Sequence, residues 1–174
     1  MGRDVTTIMH SREKLDAGAI VDFKNVGAEI NADYSDPDVC VGPSGEDYYL
    51  TASSFQCTPG LPILHSKDLV NWEIVGYALS KLYEGDDKLV EHFNTPQHGN
   101  GVWAPSIRYH DGLFYVFFCT PDEGLYMSTA KDPHGPWAPL HLVKRIPKWE
   151  DPCPFWDDDG ISRLEERFSR NAET

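Results

Sequence analysis

From residue 36 onward, short apolar and aromatic runs alternate with clusters of turn residues. Residues 39–41 and 47–53 read as two strands, joined by a turn at Pro43-Ser44-Gly45. Residues 61–66 read as a third strand. After a turn at Lys67-Asp68, residues 71–76 read as a fourth. A charged stretch without alternation, 82–101, separates this set from a second one. There 106–110 alternates, Asp111-Gly112 is a strong hairpin signal, and 113–119 is apolar and aromatic. Residues 124–130 and 137–143 complete the second set. Residues 1–30 form a mixed, polar N-terminal segment, with a short helix predicted over 11–19.

The two sets repeat each other. Ser66-Lys67-Asp68 precedes Trp72 as Ala130-Lys131-Asp132 precedes Trp137, and Asp47-Tyr48-Tyr49-Leu50 corresponds to Leu113-Phe114-Tyr115-Val116. Four short antiparallel strands recurring at roughly 40–50 residues are the sequence signature of β-propeller blades. A third unit begins at Asp151-Pro152, with a hairpin turn at Asp157-Asp158-Asp159-Gly160. Beyond it, 161–174 is polar, charged and weakly helical, and reads as a tail departing from the fold. The expectation is an all-β chain with about two and a half propeller blades over 31–160. A single β-sandwich is the rival with a similar strand count.

Composition narrows the partners. Formal net charge is −13, which opposes binding to nucleic acid or an anionic membrane surface. No apolar run approaches the ~18 residues of a membrane span. Aromatic residues make up 12% of the chain, and a flat ring packs well on the apolar C–H face of a sugar. A neutral carbohydrate is compatible with both features. Cys40, Cys57, Cys119 and Cys153 form no CxxC pair and read as small buried hydrophobes rather than disulfides or metal ligands. No signal-peptide core is visible near Met1, and neither location nor oligomeric state is assigned.

Hydrolysis of a glycosidic bond needs two carboxyl groups flanking it, and inversion leaves room between them for water. Asp36 and Asp151 each stand immediately before a proline at the start of a unit's first strand. First strands line a propeller's axis, so matched positions in separate blades converge there. An Asp-Pro pair also simply starts turns, and both readings stand on the residues alone. Asp38, two positions on, reads as a local turn or edge residue. Trp103-Ala104-Pro105 occupies the same lead-in in the second unit. Trp103 is a sugar platform or a core residue, and Phe55 a pocket wall or a core residue. Gln97 and His98, before Gly99-Asn100-Gly101, offer hydrogen bonds to hydroxyls or belong to an ordinary surface loop. His65 reads as a hydrogen-bonded structural residue. Arg108 either neutralises a catalytic carboxylate or pairs on the surface.

These pieces together resemble glycoside hydrolase family 43, the β-xylosidases and α-L-arabinofuranosidases. The resemblance rests on Ala32-Asp33-Tyr34-Ser35-Asp36-Pro37-Asp38-Val39, Ser53-Ser54-Phe55, His65-Ser66-Lys67-Asp68 with Asn71-Trp72, Gly101-Val102-Trp103-Ala104-Pro105-Ser106, Gly135-Pro136-Trp137 and Asp151-Pro152, in this order. It implies a five-bladed propeller acting by inversion on terminal xylose or arabinose. It also implies Asp36 as general base, Asp151 as the carboxylate that tunes and orients the acid, and Phe55 with Trp103-Ala104-Pro105 as pocket wall. The family's general acid is a glutamate on a later blade, and Glu165 and Glu166 do not stand in its motif. No cofactor is implied for the reaction. Calcium, which family members often hold through later blades, is matched to no residue. A five-bladed domain needs more chain than this, so a truncated or frame-shifted product with little hydrolysis is expected. The rivals are a non-catalytic sugar-binding module and a fructan-type hydrolase. The latter expects Asn-Asp-Pro, where this chain has Ser35 before Asp36.

Overall fold

The computed structural model describes residues 34–80, 98–158 and 160–166. The segment 1–30, with the helix expected over 11–19, and most of the charged stretch 82–101 lie outside them.

Among the described residues, ten strands form three antiparallel sheets. The first sheet orders β1 (Asp38–Val41), β2 (Tyr48–Thr51), β3 (Gly60–Ser66) and β4 (Glu73–Leu79) in sequence. The second repeats that order with β5 (Ser106–His110), β6 (Leu113–Thr120), β7 (Gly124–Ala130) and β8 (His141–Arg145). The third pairs β9 (Pro152–Trp156) with β10 (Ser162–Glu166). First strands neighbour one another, β1 beside β5 and β5 beside β9, as inner strands do around a propeller axis. Two full blades and half of a third are present, as the strand pattern predicts, and the single sandwich is excluded.

The turns follow from their residues. Asp111 and Gly112 both have positive φ, 45° and 80°, matching the twist of the strands they join. The Lys-Asp corners repeat in detail. Trp72 Nε1 donates to the Leu69 carbonyl at 3.2 Å, and Trp137 Nε1 donates to the Pro133 carbonyl at 3.2 Å. Each indole thus caps the corner that precedes its outer strand. The register shifts once between β3 and β4, at Ile63/Leu64, and once between β7 and β8, at Leu125/Tyr126.

One expectation is corrected. Residues 162–166 are not a helical tail: they form β10, with Leu164 opposite Pro154 and Ser162 opposite Trp156. Leu164 packs with Phe117, Cys119, Leu125 and Trp156, so pairing and one apolar contact override the local polarity.

Packing explains why the second sheet is so apolar. Phe114, Val116 and Phe118 of β6 face the first sheet, joining Leu61, Ile63 and Ile107 in one core. The alternate residues Tyr115, Phe117 and Cys119 face the third sheet. A strand covered on both faces needs apolar residues at every position, whereas one with a wet face needs them at alternate positions. Among the described residues, no helix is long and apolar enough to cross a membrane.

Candidate active site

The lead-ins to β1, β5 and β9 gather the candidate residues at one end of the inner strands. Asp36 and Asp151 have the same backbone conformation, φ 49° and 51°. Non-glycine residues rarely adopt this left-handed region, and it costs of order 1–3 kcal/mol each. A proline follows in both cases and stiffens the step into the strand. Asp36 is exposed and Asp151 half-buried. Ser53 anchors Asp36 twice: its N–H donates to the Ser35 carbonyl at 2.9 Å, and its Oγ donates to Asp36 Oδ2 at 3.0 Å. The carboxylate is therefore oriented by a hydroxyl while remaining open to water.

Phe55 and Trp103 come together through the backbone. Phe55 and Val102 exchange two hydrogen bonds, 3.0 and 2.9 Å, forming an isolated bridge between the first two sheets. This requires Gly101. Its φ is +92°, and an added Cβ would stand 2.2 Å from the Phe55 carbonyl oxygen. Phe55 itself has φ 49°. Trp103 is held by its N–H on the Cys119 carbonyl at 2.9 Å and by Nε1 on the Gly99 carbonyl at 2.8 Å. The Gly99 N–H donates to Gln56 Oε1 at 3.1 Å, tying the loop across to the first sheet. Phe55 and Trp103 are each half-buried, so neither is a fully buried core residue. Ala104 and Pro105 shape the lead-in itself, and His98 is exposed on the loop. Gln97 lies outside the described residues.

Arg108 has a different occupation from the two expected. Its Nη1 pairs with Asp38 Oδ2 and donates to its neighbouring Ile107 carbonyl at 2.7 Å. Its Nε donates to the Pro154 carbonyl at 3.3 Å, and Nη2 reaches Cys153 Sγ at 3.8 Å. Burial opposes its charge, but the adjacent Asp38 carboxylate and Cys153 hold its pKa above the ordinary value. The Arg108 and Asp38 side chains are 20% and 8% exposed, so the pair sits between sheets and not on the surface or over a catalytic carboxylate. Asp38 thus opens an edge strand of the first sheet, as expected of an edge residue, but is buried against the second sheet rather than placed in a turn. It also accepts the Ile107 N–H at 2.9 Å.

The other expectations divide. His65 is structural, with Nε2 2.7 Å from Asp47 and Nδ1 3.4 Å from Glu73. None of the four cysteines forms a disulfide. Cys40 and Cys119 are buried as predicted, but Cys57 is exposed beside the Phe55 turn and Cys153 is only partly covered. Among the described residues, no group of three His, Cys, Asp or Glu side chains could hold a metal ion. Two clefts of about 290 and 330 Å³ lie beside outer strands, lined by residues such as Trp137 and His65, and neither includes Asp36, Asp151, Phe55 or Trp103. Sequence reading missed Ser53, Gln56 and Asp38. Only Ser53 left a visible signal, standing two residues before Phe55 in a motif already singled out.

The profile of glycosyl hydrolases family 43 matches residues 29–164. The chain belongs to glycosyl hydrolases family 43. It is 51% identical over 150 residues to a Xylanibacter ruminicola relative assigned as a beta-xylosidase, covering 80% of this chain and 26% of that one. It is 42% identical over 107 residues to the Bacteroides ovatus non-reducing end alpha-L-arabinofuranosidase BoGH43B, covering 59% of this chain and 19% of the relative. Among solved structures, the Bacteroides ovatus xyloglucan-locus GH43B matches with TM-score 0.57 and 38% identity over 72% of this chain and 24% of that one. A xylan beta-1,4-xylosidase from Bacillus halodurans matches with TM-score 0.62 and 31% identity over 75% and 25%. This family 43 chain thus spans about a quarter or less of each of these relatives, and the matched part is the one that carries its sheets.

Proposed function

We propose that this chain contributes the base-bearing half of a glycosidase site that hydrolyses terminal xylose or arabinose from plant polysaccharides or their oligosaccharides, with inversion. The observation that carries the reading is the pair of matched lead-ins: Asp36 and Asp151, each left-handed before a proline, at the start of the two inner strands that flank β5 in a family 43 fold. Xylosidase and arabinofuranosidase relatives support the substrate class.

In this reading Asp36 takes the proton of the attacking water. It is exposed to that water, and the Ser53 hydroxyl fixes its orientation, so the base meets the anomeric carbon from one direction. Asp151 acts from the lead-in to β9 on the orientation and charge of the group that protonates the leaving oxygen. Phe55 and Trp103 present half-buried rings to the apolar face of the terminal sugar. No described residue is assigned as the general acid, so natural glycosides, whose leaving group needs that proton, are expected to turn over slowly on this chain alone. The reaction asks for no cofactor.

Calorimetry with xylobiose and arabinobiose tests the reading directly. The wild-type chain is expected to bind one of them. Trp103→Ala should weaken binding about tenfold, in line with loss of an aromatic anchor, and Asp36→Asn should retain it. Absence of binding to either sugar would refute the proposal. Turnover of nitrophenyl glycosides, whose leaving group needs little protonation, that disappears in Asp36→Asn would support the base, and robust turnover of xylobiose would require an acid elsewhere in the chain.

A further inference from the structure

Three contacts converge on the inner strands within three residues of the proposed carboxylates. Arg108 of β5 pairs with Asp38 of β1 and donates to the Pro154 carbonyl of β9. Ser106, two residues earlier on the same strand, donates from Oγ to the Pro152 carbonyl of β9. Asp38 is 5% exposed and Ser106 3%, so both contacts are sheltered from competing water. Asp38 is separated from Asp36 by Pro37 alone, and Cys153, which Arg108 Nη2 touches, is separated from Asp151 by Pro152 alone. Proline locks one dihedral of each short connection, so the position of the gripped residue is passed to its carboxylate.

We propose that Arg108 is a positioning residue, which sets the separation of the Asp36 and Asp151 carboxylates by clamping β1 and β9 to β5. The inference rests on the glycosidase reading for its purpose, but the clamp is a statement about geometry. A planar guanidinium with several donors in fixed directions is suited to it, because one side chain meets a carboxylate, two carbonyls and a thiol at once. A lysine offers a single charged point. It would keep the pairing with Asp38 and release β9. The second sheet supplies no carboxylate at its own lead-in, where Ala104 stands, and it supplies the clamp instead.

The test is nuclear magnetic resonance on the whole chain, with residual dipolar couplings reporting how β1, β5 and β9 are oriented. In the wild type all three strands should fit one rigid frame. In Arg108→Lys, β1 and β5 should still share a frame while β9 departs from it. In Arg108→Gln both neighbours should depart, with amide shifts moving at Asp36 and Asp151 and not at the distant Asp68 corner. A merely stabilising role would leave the frame intact in every folded variant. Xylobiose affinity should fall in Arg108→Lys, because the displaced β9 lead-in no longer holds Asp151 beside the sugar. If Arg108→Gln fails to fold, Arg108→Lys and Ser106→Ala carry the test. A single shared frame with unchanged affinity in Arg108→Lys overturns the proposal. Departure of β9 supports the clamp whether or not xylobiose binds, and a wild-type chain that binds no sugar counts against the glycosidase reading alone.

Discussion

The lead-ins to β1 and β5 occupy the same place in two sheets of the same order, yet carry opposite chemistry. At β1 the chain reads Ser35-Asp36-Pro37-Asp38, with a left-handed, exposed carboxylate ahead of the proline. At β5 it reads Trp103-Ala104-Pro105-Ser106, with a small apolar residue there and an aromatic before it. The lead-in to β9 returns to the first form with Asp151-Pro152. Ala104 is not among the positive-φ residues, so of the three lead-ins the two that bear carboxylates hold them on left-handed backbone and the third does not. In the proposed reading, two blades supply the carboxylates, and the blade between them supplies the wall and the clamp. Repetition supplies the frame, and divergence at one position in each repeat supplies the site.

The contrast breaks most severely where the sheets are tied together. Asp38→Ala or Arg108→Met leaves one buried partner of the pair uncompensated, and should cost about 3–5 kcal/mol of stability. Urea unfolding measures this. The double variant Asp38→Ala/Arg108→Met should recover part of that loss, because no charge is then stranded. Equal losses in single and double variants would show that the pair is not coupled. Gly101→Ala comes next. The added Cβ meets the Phe55 carbonyl at 2.2 Å and the position has φ +92°, so the bridge must open. The expected cost is about 1–3 kcal/mol, together with exchange of the Phe55 and Val102 amide protons, which are protected in the parent. Protected amides in a stable Gly101→Ala would show that the close approach is dispensable.

How much of this was legible beforehand depends on how local the cause is. The Asp111-Gly112 hairpin, the Lys-Asp corners and the Trp72–Trp137 repeat are written in adjacent residues, and all appear where expected. So does the matched placement of Asp36 and Asp151, because a proline directly follows each. Arg108 was misread because its partner Asp38 lies 70 residues away and its other acceptors are on a third sheet. No short-range pattern encodes such a meeting. The strand over Ser162–Glu166 was missed for a related reason. Its residues favour no strand by themselves, and the pairing is imposed by β9 opposite. Strand propensity is weak against that context.

Conformational strain separates the lead-ins more finely. Asp36→Gly should be more stable than Asp36→Ala by about 1 kcal/mol, since alanine is penalised in the left-handed region and glycine is not. The matching pair at the second lead-in, Ala104→Gly, should lose stability instead, because glycine there adds chain entropy to the unfolded state without relieving strain. Thermal unfolding of the three variants gives both signs. A glycine that destabilises Asp36 as it does Ala104 would mean the two lead-ins differ only in side chain.

The smallest effect compares the Lys-Asp corners. The Asp68 carboxylate accepts the Asn71 N–H at 2.8 Å, the Asn71 side-chain amide at 2.7 Å and the Val70 N–H at 2.9 Å. These bonds favour the ionised form, the Asn71 N–H most, and hold its pKa far below the ordinary 3.8. Asp132 is also lowered, first by the His134 N–H at 2.9 Å and then by the His134 ring, but fewer donors reach it. A carboxylate whose folded pKa is depressed stabilises the fold above its unfolded pKa, and that stability is lost as pH falls through the folded value. Both corners should therefore give full support above about pH 5 and lose it on acidification below about pH 4, the Asp68 corner over a wider range. Both carboxylates are open to solvent, so the changes are small. In unfolding scans from pH 5 to pH 2, Asp68→Asn should flatten the acid limb more than Asp132→Asn. Equal flattening would mean that the extra donors on Asp68 do not distinguish the two corners, and that the first two sheets differ at their inner ends alone.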